Sequence, residues 1–238
     1  MLRTIFTALM MVSGLLAFGA SADEAKVRQK LQAKFPNMAI ESVAKAPFAG
    51  LYEVVLDGEI VYTDEKVDYF FGGNIFDIRT QPPKNLTQDS TNRLAAKALQ
   101  GAVGSAIKRV KGNGTRTIYT FEDPNCTYCK QLQKELTKVN DVTHYVFLIP
   151  ILGQDSHNKA QAIWCAKDRA KAWDDMMLRS VTPDGPANCS TPIEKNLQLM
   201  RRFGIRGTPA VYMLNGQQIG GYVPAERIEQ ALATVSPK

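Results

Sequence analysis

The 238-residue sequence contains few metal-binding residues and, beyond its N-terminal segment, no long apolar run. It has four cysteines and two histidines, and no cysteine precedes position 126. After the first 22 residues, no segment approaches the about 20 apolar residues that a membrane-spanning helix needs, which excludes a polytopic membrane protein. Hydrophobic residues make up 45% and charged residues 22% of the chain, which excludes wholesale disorder and collagen-like repeats.

The chain also lacks a strong excess of one charge. Lys and Arg number 29 against 23 Asp and Glu, a formal net charge of +6, and the basic residues are spread along the whole sequence. This distribution predicts a mildly basic, solvated surface and does not favour nucleic-acid binding.

Residues 1–22 are predicted to be a cleaved secretory signal. Arg3 gives a positive start, an almost uncharged apolar run extends from Ile5 to Phe18, and Ala20-Ser21-Ala22 fits the small-x-small cleavage rule. The alternative is a membrane anchor, but the run is shorter than a bilayer span. The mature chain would start at Asp23, in a compartment where disulfides form.

Residues 23–83 predict a small α+β domain. Apolar residues recur every four positions from Val27 to Phe35, which predicts an amphipathic helix that Pro36 ends. Asp57-Gly58 between two alternating runs predicts a hairpin. A domain of about 60 residues is marginally stable alone, so we expect its sheet edges to pair with a second copy. The strand-like runs are 38–43, 51–56, 60–62, 67–71 and 75–78.

The rest of the chain predicts a linker and a second domain. The alanine-rich stretch 87–107 predicts a helix within a linker that covers residues 84–110, and Gly112 and Gly114 mark the start of a domain at 111–238. This domain alternates strands (117–121, 145–149, 210–214 and 217–220) with helices (126–139, 159–178, 193–203 and 224–234). The alternation indicates an α/β sheet that is covered on both faces.

The pair Cys126 and Cys129 follows a predicted strand and opens a predicted helix. Such a pair can ligate zinc, carry an iron–sulfur centre, attach haem, form a structural disulfide, or cycle between dithiol and disulfide. Haem attachment needs a histidine where Lys130 stands. Zinc needs about four ligands, and the other candidates include no second close-spaced pair: His144, His157, Cys165 and Cys189.

The position of the pair favours redox chemistry. A structural disulfide that closes so small a loop adds little stability. At a helix start, free N–H groups and the positive end of the helix dipole stabilise a thiolate. We therefore predict that Cys126 is a nucleophile and that Cys129, one turn further on, attacks a mixed disulfide formed on Cys126.

Thr208-Pro209 precedes an apolar strand. If this peptide bond is cis, the backbone of Thr208 can pair with an extended peptide beside the Cys126 sulfur. An ordinary turn proline is the alternative, since only ≈5–6% of X–Pro bonds are cis. The position of the proline after the cysteine pair favours the cis form.

Three segments in this order resemble the DsbC family of exported bacterial disulfide isomerases: Phe-Glu-Asp-Pro-Asn-Cys-Thr-Tyr-Cys at 121–129, Ala-Ile-Trp-Cys-Ala-Lys at 162–167, and Gly-Thr-Pro-Ala at 207–210. The resemblance spans nearly the whole mature chain. It implies a cystatin-like N-terminal dimerisation domain, a thioredoxin-like α/β catalytic domain with a helical insertion, a V-shaped homodimer and a periplasmic location.

The resemblance also implies roles for individual residues. Cys126 and Cys129 would be catalytic, and Cys165 and Cys189 would form a structural disulfide, with a second reactive pair as the alternative. Substrate would be bound by Thr127, Tyr128, Thr208 and Pro209. Thr127-Tyr128 stands where many members have glycine and tyrosine.

Other polar residues receive no catalytic role at this stage. Thioredoxin has a buried aspartate six residues before its first active cysteine, where this chain has Thr120. Glu122 and Asp123 lie nearby, but the sequence does not identify either as a proton acceptor. His144 is assigned to a strand, and no catalytic role is assigned to it.

The predicted function is thiol–disulfide isomerisation of misfolded, disulfide-containing exported proteins. Resolution by Cys129 would leave an oxidised pair, which by resemblance a membrane reductase of the DsbD type would reduce. No organic cofactor, metal or nucleic acid is expected. The alternatives are a DsbG-type reductase of single thiols or sulfenic acids, a monomeric DsbA-type oxidase, which the N-terminal domain disfavours, and a chaperone activity that can coexist with catalysis.

Overall fold

The computed structural model describes residues 21–186 and 188–235, and these divide into two compact units between Gly73 and Asn74. Apart from its last two residues, the predicted signal sequence lies outside the described residues. No helix in the described ranges is both long and apolar enough to span a bilayer.

The first unit packs one helix on a four-stranded antiparallel sheet. Its elements are α1 (Ala22–Lys34), β1 (Ile40–Lys45), β2 (Tyr52–Leu56), β3 (Glu59–Thr63) and β4 (Phe70–Phe71). Ser21 and Glu24 form a capping box at the start of α1, which satisfies two of the free N–H groups there. Val27 and Leu31 face the sheet and are fully buried.

The predicted Asp57-Gly58 hairpin joins β2 to β3. Leu56 pairs with Glu59 across it, and both turn residues have positive φ, 48° and 86°, as a two-residue hairpin with right-handed strand twist requires. The predicted strand at 67–71 is reduced to Phe70–Phe71. Val67 is buried with φ at 61° and cannot extend β4.

The second unit has a five-stranded sheet in the order β11-β10-β8-β9-β7, beside a small β5–β6 pair. Its strands are β5 (Phe76–Asp77), β6 (Lys84–Asn85), β7 (Ile107–Lys111), β8 (Arg116–Glu122), β9 (Val142–Leu148), β10 (Ala210–Met213) and β11 (Gln218–Gly220). Its α-helices are α2 (Leu86–Gly101), α3 (Thr127–Leu136), α4 (Gln154–Cys165), α5 (Arg169–Arg179), α6 (Ile193–Arg202) and α7 (Ala225–Thr234). β8 and β9 are parallel and α3 connects them.

Alternate side chains of β8 pack into two hydrophobic clusters, one on each face of the sheet. Ile118 packs with residues of α3 and α7, whereas Tyr119 and Phe121 pack on the opposite face with Leu99 of α2. Successive side chains of a strand point to opposite faces, so the sheet is covered on both sides, as predicted.

Two sequence predictions need correction. The helix predicted over 87–107 ends at Gly101, and after a short 3-10 turn the chain forms β7, a strand that the alanine-rich composition concealed. The helix predicted over 159–178 is two helices, because the chain breaks after Cys165 and Asp168 caps α5 by accepting the backbone N–H of Lys171 at 2.9 Å.

The structure joins Cys165 to Cys189, with 5.7 Å between their Cα atoms. Cys165 is the last residue of α4, so the bond ties this helix to the segment before α6. The two cysteines are 24 residues apart, and a loop of this size restricts the unfolded chain considerably.

Replacing both Cys165 and Cys189 with alanine should lower the free energy of unfolding by about 3–4 kcal/mol, because the unfolded chain loses this restriction. Urea denaturation followed by circular dichroism would measure the change. The matched control is a Cys126→Ala/Cys129→Ala variant, which keeps the Cys165–Cys189 bond. Equal stability of the parent and the Cys165/Cys189 variant would contradict the expectation.

Candidate active site

Cys126 lies where the chain passes from β8 into α3. It occupies the N-cap position, and its Sγ accepts the backbone N–H of Cys129 at 3.2 Å. Its own N–H donates to the carbonyl of Asp123 at 3.1 Å. The sulfur therefore takes the place of the oxygen that usually caps a helix, where N–H groups favour negative charge.

The Thr208–Pro209 peptide bond is cis, and it lies beside the nucleophile. The Cys126 thiol donates to the Thr208 carbonyl over 3.3 Å. β10 starts directly after Pro209 and pairs antiparallel with β8, with Ala210 opposite Phe121. Pairing of these strand ends brings together two motifs that are more than 80 residues apart in the chain.

The two cysteines differ in acidity. The pKa of Cys126 falls from its ordinary 9.0 to about 6, first because the Cys129 side chain donates a hydrogen bond to its sulfur. Burial opposes the shift, and a hydrogen bond from the Thr208 side chain adds to it. Burial raises the pKa of Cys129, which is fully buried. At neutral pH, Cys126 is therefore the thiolate and Cys129 retains its proton.

Asp123 positions the segment before the nucleophile. Its buried carboxylate accepts the N–H of Asn125 at 2.7 Å and the hydroxyl of Ser156 at 2.8 Å. It also accepts the N–H groups of Ile151 and Leu152 at 2.8 and 3.0 Å. One carboxylate thus joins the turn before Cys126 to the loop after β9. The apolar side chains of Ile151 and Leu152 in this loop are exposed.

Tyr128 and Tyr222 form an exposed aromatic pair beside the site. Their ring centroids are 6.5 Å apart, and the side chains are 60% and 42% exposed. A Cβ at Gly221 would come within 3.1 Å of the Pro209 carbonyl, so the turn that carries Tyr222 lies against the cis-proline loop. Tyr222 was not predicted from the sequence as a residue of the site. Gly220 and Gly221, which precede it at the end of a predicted strand, did indicate a turn there.

Glu122 is fully buried on the α3 side of the sheet. Its Oε1 accepts the Thr120 hydroxyl and the Gln133 amide, both at 2.6 Å, whereas Oε2 has no hydrogen-bond partner among the described residues. Burial raises the pKa of Glu122 to about 7. The structure therefore distinguishes the two acids that the sequence left unassigned: Asp123 holds loops together, and Glu122 can change its protonation state near neutral pH.

A helix-capping thiolate, a buried second thiol one turn further on and a cis-proline carbonyl in contact define a thiol–disulfide oxidoreductase. The pairing of Cys165 with Cys189 leaves neither as a thiolate ligand for zinc. The chemistry available to the site is thiol–disulfide exchange.

Comparisons with known proteins extend this conclusion to the family. Residues 103–236 match the model of a thioredoxin-like domain, and residues 18–88 match that of the disulfide bond isomerase protein N-terminal domain. The chain is 37% identical over 207 residues to the probable thiol:disulfide interchange protein DsbC of Bordetella parapertussis, covering 87% of this chain and 73% of the relative. It is 31% identical over 235 residues to DsbC of Escherichia coli K12, covering 96% and 93%.

A solved structure gives the same result for more than half of the chain. The disulfide interchange protein of Neisseria gonorrhoeae is 39% identical, with a TM-score of 0.54, and the match covers 57% of this chain and 99% of that one. The chain belongs to the DsbC family of thiol:disulfide interchange proteins. This confirms the predicted family, fold class and enzyme class.

Titration of Cys126 should show a thiolate transition with a midpoint near pH 6 in the ultraviolet absorbance. Cys129→Ala should raise this midpoint, because the variant removes the hydrogen bond that contributes most to the shift. Cys126→Ser should remove the transition. A midpoint near 9 in the parent, or one unchanged in Cys129→Ala, would contradict the assignment.

Ionisation of the buried Glu122 carboxyl should lower the free energy of unfolding above neutral pH. Its folded-state pKa of about 7 exceeds its ordinary 4.5, so its contribution to stability is fully present below about pH 4.5 and is lost as the pH rises through 7. Glu122→Gln should be nearly neutral at pH 4 and should stabilise by up to about 3 kcal/mol at pH 8. Denaturant unfolding at both pH values tests this, with exposed Glu226→Gln as the control. Equal effects at the two pH values would refute it.

Proposed function

We propose that this protein is a periplasmic, homodimeric disulfide isomerase that rearranges incorrect disulfides in exported proteins. The observation that carries the proposal is the Cys126 sulfur at the start of α3, with a pKa of about 6 and in contact with the Thr208 carbonyl. The signal sequence at 1–22 and the predicted division into 23–83, 84–110 and 111–238 are part of this proposal, except that β7 (Ile107–Lys111) belongs to the five-stranded sheet of the second unit and not to a linker.

Catalysis starts from the Cys126 thiolate. It attacks one sulfur of a substrate disulfide, so that a Cys126–substrate disulfide forms and the other substrate sulfur leaves as a thiolate. That thiolate, or another in the substrate, then attacks the mixed disulfide and releases rearranged protein with Cys126 reduced. Alternatively, Cys129 loses its proton and attacks Cys126, which releases a reduced substrate and leaves the Cys126–Cys129 disulfide.

The site has the groups needed to hold a polypeptide over the nucleophile. The backbone of Thr208, before Pro209, would pair with an extended segment on one side of the substrate cysteine. Thr127 and Tyr128 at the exposed start of α3, together with Tyr222, would contact the flanking side chains. Aromatic rings bury a large area at a low cost in conformational entropy, which suits binding of many different unfolded segments.

Dimerisation is supported by the first unit. β4 is an edge strand of its sheet, and three consecutive aromatic residues there, Tyr69, Phe70 and Phe71, are 69%, 43% and 45% exposed. Unpaired strand edges and exposed apolar side chains favour association with another chain. A second copy would satisfy this edge and place two Cys126 sites in one assembly, so that a substrate stays bound while its thiols search.

The oxidised pair formed by Cys129 needs an external source of electrons. A membrane reductase of the DsbD type is the proposed donor, and the Cys165–Cys189 bond is proposed to be structural. A DsbG-type reductase would use the same cysteine pair, but the relatives compared above carry the DsbC name.

A charge on the exposed edge should separate dimerisation from thiol chemistry. Phe71→Glu should make the full-length protein monomeric in light scattering, because the edge would then repel a second copy. It should lose most of its activity in refolding a scrambled multi-disulfide protein, yet reduce a small disulfide at the parental rate.

The matched control is Val181→Glu, which adds the same charge at an exposed site of the second unit. It should remain dimeric and active. A monomeric parent, or a monomeric Phe71→Glu protein with undiminished isomerisation, would refute the proposed role of the dimer.

A further inference from the structure

Asn125, the residue before the nucleophile, has hydrogen-bond partners for both polar atoms of its side chain. Its Nδ2 donates to Asp155 Oδ2 at 2.7 Å and to Ser156 Oγ at 3.0 Å. Its Oδ1 accepts a hydrogen bond from Lys159 Nζ at 2.9 Å. An amide has distinct donor and acceptor ends, so these three side chains hold it in one orientation.

The three partners of Asn125 lie at the start of α4, within the helical insertion between β9 and β10. Asp155 and Lys159 are four residues apart and therefore lie on one face of the helix. The Asp155 Oδ2 and Lys159 Nζ atoms are 2.6 Å apart and form an ion pair. The first polar side chains of α4 are thus directed at the segment before Cys126.

Ser156 connects these side chains to Asp123. Its side chain is fully buried, and its hydroxyl donates to Asp123 Oδ1 at 2.8 Å. A hydroxyl has one proton and two lone pairs, so it can accept from Asn125 at the same time. The same Asp123 oxygen accepts the backbone N–H of Asn125 at 2.7 Å. The backbone and the side chain of Asn125 are therefore held by groups that are bonded to one another.

The conformation of Asn125 affects where the next residue places its sulfur. Cys126 caps α3 with φ at −71° and ψ at 119°, and its Sγ accepts the N–H of Cys129 at 3.2 Å. This bond requires the extended backbone that an N-cap residue adopts. If the segment before Cys126 could shift, the sulfur would move away from the helix N–H groups, which stabilise a thiolate.

The charge of Lys159 acts in the same direction. Without it, Asp155 would be an unpaired carboxylate beside the active-site turn, and nearby negative charge raises the pKa of a thiol. The other titratable groups that interact with Cys126 are Glu122 on β8 and Cys129 on α3. Loss of Lys159 should therefore make Cys126 less acidic both through geometry and through charge.

We propose that Lys159 and Ser156 of α4 are positioning residues for attack by Cys126, because they hold the Asn125 amide and so maintain the geometry in which the sulfur caps α3. The helical insertion then takes part in the reaction through the residue before the nucleophile. The proposal rests on the proposed function, since it concerns its first step. In that step the Cys126 thiolate bonds to one substrate sulfur, and the other substrate sulfur leaves as a thiolate.

The experiment measures alkylation of Cys126 by iodoacetamide in the reduced full-length protein across a range of pH. A sulfur–carbon bond forms and iodide leaves, so the rate follows the fraction of thiolate. Lys159→Met keeps the apolar stem and removes the ammonium group. It should raise the midpoint by about one pH unit, which lowers the alkylation rate at pH 5 about tenfold. Lys159→Arg keeps a charged donor and should stay within about twofold of the parental rate.

The matched control is Lys171→Met. Lys171 pairs with Asp175 on α5 at 2.6 Å, again over four residues, so the variant loses a comparable helical ion pair away from Asn125. It should keep the parental midpoint. Urea denaturation of Lys159→Met and Lys171→Met measures what each ion pair contributes to stability. An equal rise of the midpoint in both variants would overturn the proposal.

A double-mutant cycle tests whether Lys159 acts through Asn125. Asn125→Ala should raise the midpoint by itself, and Ser156→Ala should raise it in the same direction. Lys159→Met should then add little in the Asn125→Ala background, because the group that it holds is gone. An equal effect of Lys159→Met in both backgrounds would show action by charge alone and would overturn the positioning role. Parental midpoints in Lys159→Met and Ser156→Ala would also overturn it.

Refolding of a scrambled multi-disulfide protein by the same proteins tests the proposed function separately. Lys159→Met should rearrange disulfides slowly at pH 5 and at nearly the parental rate at pH 8, where Cys126 is ionised in both proteins. A parent that is alkylated with a midpoint near 6 but rearranges no disulfides would overturn the proposed function and leave the positioning of the thiol intact. A fully active parent with an equally active Lys159→Met protein at pH 5 would overturn the positioning role alone.

Discussion

The antiparallel register of β8 and β10 is the constraint on which the rest of the site depends. Ala210 opposite Phe121 fixes the start of β10 beside the end of β8, and the cis-proline carbonyl then meets the sulfur that caps α3. A slip of one residue would turn alternate side chains of β8 to the other face. It would bury Tyr119 and Phe121 beneath α3 and expel Thr120 and Glu122 from it.

The difference between the two thiols follows from this placement. Cys126 receives hydrogen bonds from the first turn of α3, which stabilise its negative charge. Cys129 is one turn deeper, where burial favours the neutral thiol. The same helix therefore presents the Cys126 thiolate for attack and holds Cys129 as a neutral thiol, which loses its proton before it resolves the mixed disulfide. Glu122 lies beneath the same helix, and burial raises the pKa of its carboxyl to about 7.

Much of this arrangement is readable from the sequence. The cysteine pair after a β-branched strand, the proline before a later strand and the Asp57-Gly58 turn are local signals, and each depends on the conformational preference of a few neighbouring residues. β7 escaped prediction because Ile107 and Val110 follow an alanine-rich helix without a clear break. His144 lies 3.2 Å from Arg109 and 2.7 Å from Thr120, and these contacts could not be predicted from the sequence, since they depend on strand order and register across three strands. Tyr222 approaches Tyr128 only because its turn packs on the cis-proline loop.

The carboxylate of Asp123 joins the nucleophile's turn to the loop that carries Ile151 and Leu152. Because one side chain holds both, this loop cannot be displaced without also moving the backbone that aims the Cys126 sulfur. The conformation of this loop and the reactivity of Cys126 are consequently not independent in this architecture. Divergence toward new substrates would have to proceed by exchanging exposed side chains, while insertions into the loop would alter the chemistry itself.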